Sequence, residues 1–327
     1  MNLRISLILI TILAWVSIFG VLIYKSDIGE EKVVQDSSFF YRISSQDISN
    51  ISITNNSKSF SWYLGDDRVW YFDGMNKIPT DSFRWGGIID LLAGPKLYRT
   101  ISENIDDKSK YGLENPSTEI SIYLNNGDKR TLYIGNETPD NLNNYAYLEG
   151  VEKLVMLDAT WKGVLGRLVD EPPYPKWMYK LVPEEALEIV IIKDNEIYKA
   201  YAINDEGWHE CDLPISSTPC KGYNQAEKEY IENFLADFSN INILGAVQLN
   251  LLFEEDYKQY GLGLEAPYVD IKTISRDASG TNTIYNTSIS IGKLNEDKTG
   301  YFSVAKETKD VILTEKEWTE KILQVFD

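Results

Sequence analysis

The chain states one pattern twice. Tyr111-Gly112-Leu113 followed by Pro116 returns as Tyr260-Gly261-Leu262 followed by Pro267. Ile134-Gly135 returns as Ile291-Gly292, and Val155-Met156-Leu157 with Trp161 returns as Val311-Ile312-Leu313 with Trp318. Upstream, Ile51 and Trp70 return as Ile189 and Trp208, at one shared offset. Motifs repeated in the same order confine the chain to two copies of one folding unit. Each copy is long enough to bury a core of its own. A duplicated unit points to a scaffold or sensing surface rather than to a single catalytic pocket.

The repeats divide the chain. Residues 1–25 read as a transmembrane signal anchor and 26–42 as a polar stalk. The first repeat covers 43–170, a Pro-rich linker 171–183, and the second repeat 184–327. The linker opens with Glu171-Pro172-Pro173-Tyr174-Pro175, a stiff sequence. The anchor rests on Ile5–Tyr24, which carries no charge. As a helix that run would be about 30 Å long, the thickness of a hydrocarbon core. It is longer than the apolar core of a cleaved signal peptide, and no A-x-A-like site closes it.

Charge gives the address. The chain has 50 acids against 32 bases, a net charge of −18. An anionic bilayer face or a nucleic acid would repel it, so the large domain is expected on the outer side of the cell (inner) membrane, with no nucleic-acid partner. Arg4 on one side of the anchor and Lys25 and Lys32 on the other leave the positive-inside balance near a tie. Cys211 and Cys220 can pair in an oxidising compartment, or stand as two small hydrophobes. Both lie where the second copy is longer than the first.

Each copy alternates as an α+β unit. Ile51 and Ile53 face one way, as do Leu187, Ile189 and Ile191, and a strand at Trp70 matches Gly207-Trp208. A helix capped by Thr80, with Phe83, Ile88, Leu91 and Leu92 on one face, corresponds to a helix over Gln225–Phe238. Strands around Ile120 and Leu132 flank an Asn126-Gly127 hairpin turn. Closing helices begin at Asp158 and at a Thr314/Glu317 capping box. The predicted fold class is therefore α+β: an N-terminal transmembrane helix, then a tandem duplication of an antiparallel-sheet-plus-helix unit. Each unit is expected to hold two short sheets, each with a helix.

The repeated residues read as scaffold. Tyr111, Gly112, Leu113 and Pro116, with Tyr260, Gly261, Leu262 and Pro267, mark a boundary: Gly for positive φ, Leu for the core, Pro to open a strand. The Ile-Gly pairs are expected where two sheets approach closely. No phosphate-binding glycine loop occurs, and the single histidine, His209, cannot supply a multi-histidine metal site. Asp66-Asp67, Asp106-Asp107 and Glu254-Glu255-Asp256 read as solvated turns; a carboxylate hydrolase would need two acids facing each other across a cleft. No catalytic residue, metal ligand or cofactor site is assigned, and the chain is not expected to be an enzyme.

From Tyr111 to Trp161 and from Tyr260 to Trp318, the order Tyr-Gly-Leu, Pro, hairpin, Ile-Gly, strand, helix resembles the family called domain of unknown function 4340. The second copy departs from it with Gly263-Leu264 inserted before Pro267 and a longer hairpin. The resemblance implies a single-pass membrane protein, an accessory subunit of a gliding-motility-type ABC transport system with a permease as partner. It carries over no catalytic residue. The alternative is a module binding cell-envelope glycan, motivated by 21 Tyr and 8 Trp that could stack on sugar rings.

Overall fold

The computed structural model describes residues 39–217, 220–222, 224–276, 281–305 and 307–326. The expected anchor at Ile5–Tyr24 lies outside them. Among the described residues no helix is long and apolar enough to cross a membrane.

Two large antiparallel sheets dominate. The first is built from β1 (Ile48–Asn55), β2 (Lys58–Leu64), β3 (Trp70–Phe72), β4 (Leu97–Ser102), β5 (Thr118–Leu124), β6 (Lys129–Glu137), β7 (Asn143–Leu148) and β8 (Val151–Asp158). Its strand order is β3-β2-β1-β5-β6-β7-β8-β4. The second contains β9 (Ala186–Lys193), β10 (Glu196–Asn204), β11 (Gly207–Glu210), β12 (Asn224–Gln225), β13 (Ile243–Gln248), β14 (Tyr268–Arg276), β15 (Asn282–Leu294), β16 (Gly300–Ala305) and β17 (Asp310–Glu315). Its order is β12-β11-β10-β9-β14-β15-β16-β17-β13, the same as the first once β12 is set aside.

This overturns the α+β expectation. Among the described residues 42% lie in strands and 22% in helices, so the fold is mostly β. The expected pair of short sheets per copy is one continuous sheet. Period-two alternation identifies strands but not their neighbours. Alternation in β9 assigns its side chains to two faces but says nothing of its two edges, which pair with β10 and β14.

The helices are short: α1 (Ser82–Trp85), α2 (Ile88–Ala93), α3 (Ala159–Asp170), α4 (Lys228–Ser239), α5 (Glu254–Lys258) and α6 (Lys316–Leu323). The helix expected from Thr80 breaks into α1 and α2 because Gly87, at φ +78°, takes the left-handed conformation. Its cap is Asp81, whose carboxylate accepts the Arg84 amide at 2.9 Å. Phe83 sits 92% exposed instead of in the core. The Thr314/Glu317 box does not form either. The N-cap of α6 is Glu315, without a side-chain bond, because Thr314 is fully buried and bonded elsewhere. Its hydroxyl lies 2.8 Å from Ser303 Oγ and 2.9 Å from Thr319 Oγ1. That hydroxyl chain ties α6 to β16 and β17.

The chain divides into two compact units that interleave along the sequence. One comprises the residues up to Ile48, Ile53–Ser57 and Ile88–Gly166; the other comprises Ser49–Ser52, Lys58–Gly87 and Arg167–Asp327. In the first, fully buried Ile120, Ile122, Leu132 and Ile134 carry the core face of the β5–β6 hairpin. In the second, Ile189, Ile191, Val269 and Ile271 do so for β9 and β14, and Phe238 packs on Trp318 at 6.1 Å. The second unit also holds an aromatic cluster of Phe60, Trp62, Phe72, Trp85 and Tyr174. The Pro-rich stretch belongs to this unit. Arg84 Nη1 donates to Pro172 O at 2.9 Å, and its other guanidinium bonds go to Glu171 O and the Tyr179 hydroxyl.

Candidate functional site

The repeated motifs meet in space and form one lock, built the same way in each copy. Gly112 and Gly261 both adopt left-handed φ, +67° and +72°. In each copy this turns the chain so that the next residue, Leu113 or Leu262, enters the core. Its amide closes the turn on Lys108 O at 2.9 Å in the first copy, and on Tyr257 O at 3.2 Å in the second. The Ile-Gly glycine lies directly beneath the turn. A Cβ on Gly135 would stand 2.3 Å from Tyr111 O, and one on Gly292 would stand 2.3 Å from Tyr260 O. The tyrosines then lean on a ring of the next strand: Tyr111 on Tyr145 at 4.9 Å and Tyr260 on Phe302 at 5.0 Å. The Ile-Gly pairs thus make room for a turn within one copy, not for two approaching sheets. Pro267 opens β14 and its carbonyl accepts the Ile291 amide at 2.9 Å; Pro116 stands just ahead of β5.

The second copy carries a further feature. Beside its Tyr-Gly-Leu turn lies a cleft of about 1240 Å³. Leu251, Leu262, Val304 and Val311 form a buried floor, with Tyr257, Tyr260 and Phe302 packed against it. Leu252 and Leu264 line the cleft, each 67% exposed. Leu264 belongs to the Gly263-Leu264 insertion. The corresponding stretches of the first copy read Ser102-Glu103-Asn104 and Glu114-Asn115, polar throughout. Glu254, Glu255 and Glu265 line the cleft as well. Lys258 is already engaged, with its Nζ 2.9 Å from Glu255. Lys293 and Lys309 also line the cleft, beside the same turn: the Lys293 amide donates to Tyr260 O at 2.9 Å, and Lys309 O accepts the Leu251 amide at 3.0 Å. Sequence reading missed this cleft. The available signal was a large apolar residue placed in an insertion, where polar turn residues are the norm.

The other sequence candidates are dispersed. Cys211 and Cys220 are joined, with Cα atoms 5.7 Å apart, and pack on Ala200 and Ala202 of β10. His209 is buried beside them, with Nε2 3.3 Å from Cys220 O and Nδ1 without a partner. Two of the acidic runs serve local turns, while Glu254-Glu255-Asp256, expected as a turn, opens α5. Asp67 accepts the Tyr71 hydroxyl at 2.6 Å, and burial together with that bond holds the phenol well above its ordinary range. Asp107 accepts the Ser109 hydroxyl at 2.6 Å and amide at 2.9 Å, which hold its carboxyl below the usual range. Trp62, Trp85, Trp161, Trp177, Trp208 and Trp318 are all buried, so they offer no stacking platform for a sugar.

Residues 70–163 match the family model described as Domain of unknown function (DUF4340). The matched stretch runs from β3 into α3 and contains the whole first lock. No curated protein and no solved structure matches the chain.

Proposed function

We propose that this chain is a membrane-anchored, non-enzymatic accessory subunit of an ABC-type transport system. Ile5–Tyr24 would hold it at the inner membrane, and its mostly-β domain would bind a partner subunit on the extracytoplasmic side. The exposed lip of Leu252 and Leu264 carries this reading. Large apolar side chains clustered at a concave opening are a costly surface for a lone protein and an ordinary one for a docking protein. The copies supply an internal control: one scaffold is polar at this place, the other apolar. The resemblance over the repeated motifs, together with the family match over the first copy, supports the choice of transporter class. The chain should be purified at its native level in mild detergent and its companions identified. A permease subunit recovered with it is the expected result; recovery of the chain alone under conditions that preserve other transporter assemblies would overturn the reading.

A further inference from the structure

We propose that the open edge of β15 is an association surface, and that it pairs with the same strand of a second molecule of this chain. A row of main-chain groups without a neighbouring strand carries the proposal. β15 pairs with β14 in unbroken register from Asn282 to Ser290. Its other edge meets β16 only from Ile289 onward. Among the described residues no strand flanks residues 282–287 on that side. Residues 282–286 are exposed and Thr287 is half-buried. The register shows which groups are open. The Ile291 amide points to the β14 side and donates to Pro267 O at 2.9 Å. The Ser288 amide points the other way, to the Glu307 carboxylate at 2.8 Å. Main-chain groups alternate in direction along a strand, so Asn282, Ile284 and Asn286 turn their N–H and C=O outward. Another extended polypeptide repeats both groups at the same spacing and can satisfy the row; a lipid or a glycan has no such repeat.

The sequence of the edge selects its own kind. Exposed edges that stay single carry Lys, Pro or a bulge. The matching strand of the first repeat does so: β7 flanks β6 from Leu132, and the strand beyond begins Lys129-Arg130. Asn282-Thr283-Ile284-Tyr285-Asn286-Thr287 has no charge, no proline and no bulge against β14, in a chain of net charge −18. It gives no electrostatic handle for choosing a foreign strand, yet it complements itself when reversed. One antiparallel register uses only the open groups. It sets Ile284 opposite Ile284, Asn282 opposite Asn286 and Thr283 opposite Tyr285. These pairs are apolar on apolar, polar on polar and β-branched on aromatic, which stabilise a ladder. Sliding the register toward Ser288 calls on an amide that Glu307 already holds. Because β14 occupies the far edge of β15, the pairing closes as a two-fold dimer.

The test is the oligomeric state of the full-length chain in detergent, by sedimentation equilibrium up to about 0.5 mM. The edge is short, so the expected dimer is weak, with a Kd of about 0.1 mM. About 0.5 M salt should strengthen it, by screening two bodies of like charge. Ile284→Lys sets like charges opposite each other at the two-fold axis. Ile284→Pro removes the outward N–H and spares the β14 ladder. Each should weaken dimerisation about tenfold or more. Ile284→Lys should also leave the urea midpoint of dilute protein unchanged, because the side chain is 59% exposed. Leu264→Asp, in the cleft, should leave the dimer as it is. A monomer at every concentration would overturn the proposal. So would a dimer indifferent to both Ile284 variants, one lost in Leu264→Asp, or one dissolved by salt. Recovery or loss of a permease companion moves none of these readouts, so the transporter reading stands or falls separately.

Discussion

At the scale of single residues, the glycines separate two physical roles. Gly135 and Gly292 are needed for space: an added methyl would overlap a backbone carbonyl, which cannot move without opening the lock. Gly135→Ala and Gly292→Ala should each destabilise the protein by about 1–3 kcal/mol, read from the urea midpoint. Gly163, inside α3, has nothing within 4 Å of its would-be Cβ. Gly163→Ala should instead stabilise by about 0.5–1 kcal/mol, by removing helix-interior glycine entropy. If all three variants moved the midpoint alike, the lock would not be what the glycines preserve. A second residue-scale case is Asp310. It is buried and accepts the Trp177 indole at 2.8 Å and the Asn250 amide at 2.9 Å. Trp177→Phe leaves one oxygen of a buried acid short of a donor and should cost about 2–3 kcal/mol in equilibrium unfolding. A change below about 0.5 kcal/mol would mean that solvent reaches Asp310.

At the scale of elements, the hydroxyl chain Ser303–Thr314–Thr319 decides how α6 sits on its sheet. All three side chains are fully buried. Thr314→Val keeps the volume but breaks both links, and should cost about 1–3 kcal/mol by leaving the buried Ser303 hydroxyl without its partner, while Thr319 keeps its bond to Glu315 O. Amide exchange along α6 should rise more than exchange in α4; equal protection in both helices would contradict this. The same threonine shows where sequence reading reaches its limit. Thr314 three residues before Glu317 has the spacing of a capping box, and only the neighbouring strand reveals Ser303 as the competing partner. Thr80 lost to Asp81, one residue on: Thr80 is buried with its amide on Trp70 O at 2.8 Å, and the Asp81 carboxylate takes the cap. The strands themselves were legible from alternation at Ile51, Ile120 and Ile189. Their assembly into two wide sheets was not, since edge pairing leaves no periodic trace. The lock residues were legible because they occur twice. The cleft was not, because its lip is made of residues that look like ordinary core leucines until their exposure is known.

At the scale of the whole molecule, covalent closure and ionisation set the conditions under which the fold persists. The Cys211–Cys220 bridge closes a loop with a sequence separation of 9. On chain-entropy grounds its removal should cost about 2–3 kcal/mol. Cys211→Ser with Cys220→Ser should show that loss without reductant, and dithiothreitol should bring wild-type protein to the same midpoint. A wild-type midpoint indifferent to dithiothreitol would mean that the thiols are unpaired in solution.

Alkaline pH should unfold the protein through its buried phenols. Burial, aided by the nearby Tyr230, Glu210 and Tyr198, pushes the Tyr201 hydroxyl up to about 12, against about 10 in an unfolded chain. Tyr71 moves the same way, through burial and its bond to Asp67. The neutral phenol is thus favoured more in the native state than in the unfolded one. Its contribution is complete below about pH 10 and is lost as pH rises from there through the native value. Stability should therefore fall from about pH 10 toward about pH 12, more steeply in wild type than in Tyr201→Phe. The comparison matters because lysines also lose charge in this range, but they do so equally in both proteins. In a chain of net charge −18, that loss adds to self-repulsion. Salt should recover the lysine-dependent part and leave the phenol-dependent part unchanged. Urea midpoints for the two proteins, each with and without about 0.5 M salt, separate the two effects. If Tyr201→Phe tracked wild type across the whole range, the Tyr201 phenol would be reaching water in the native state.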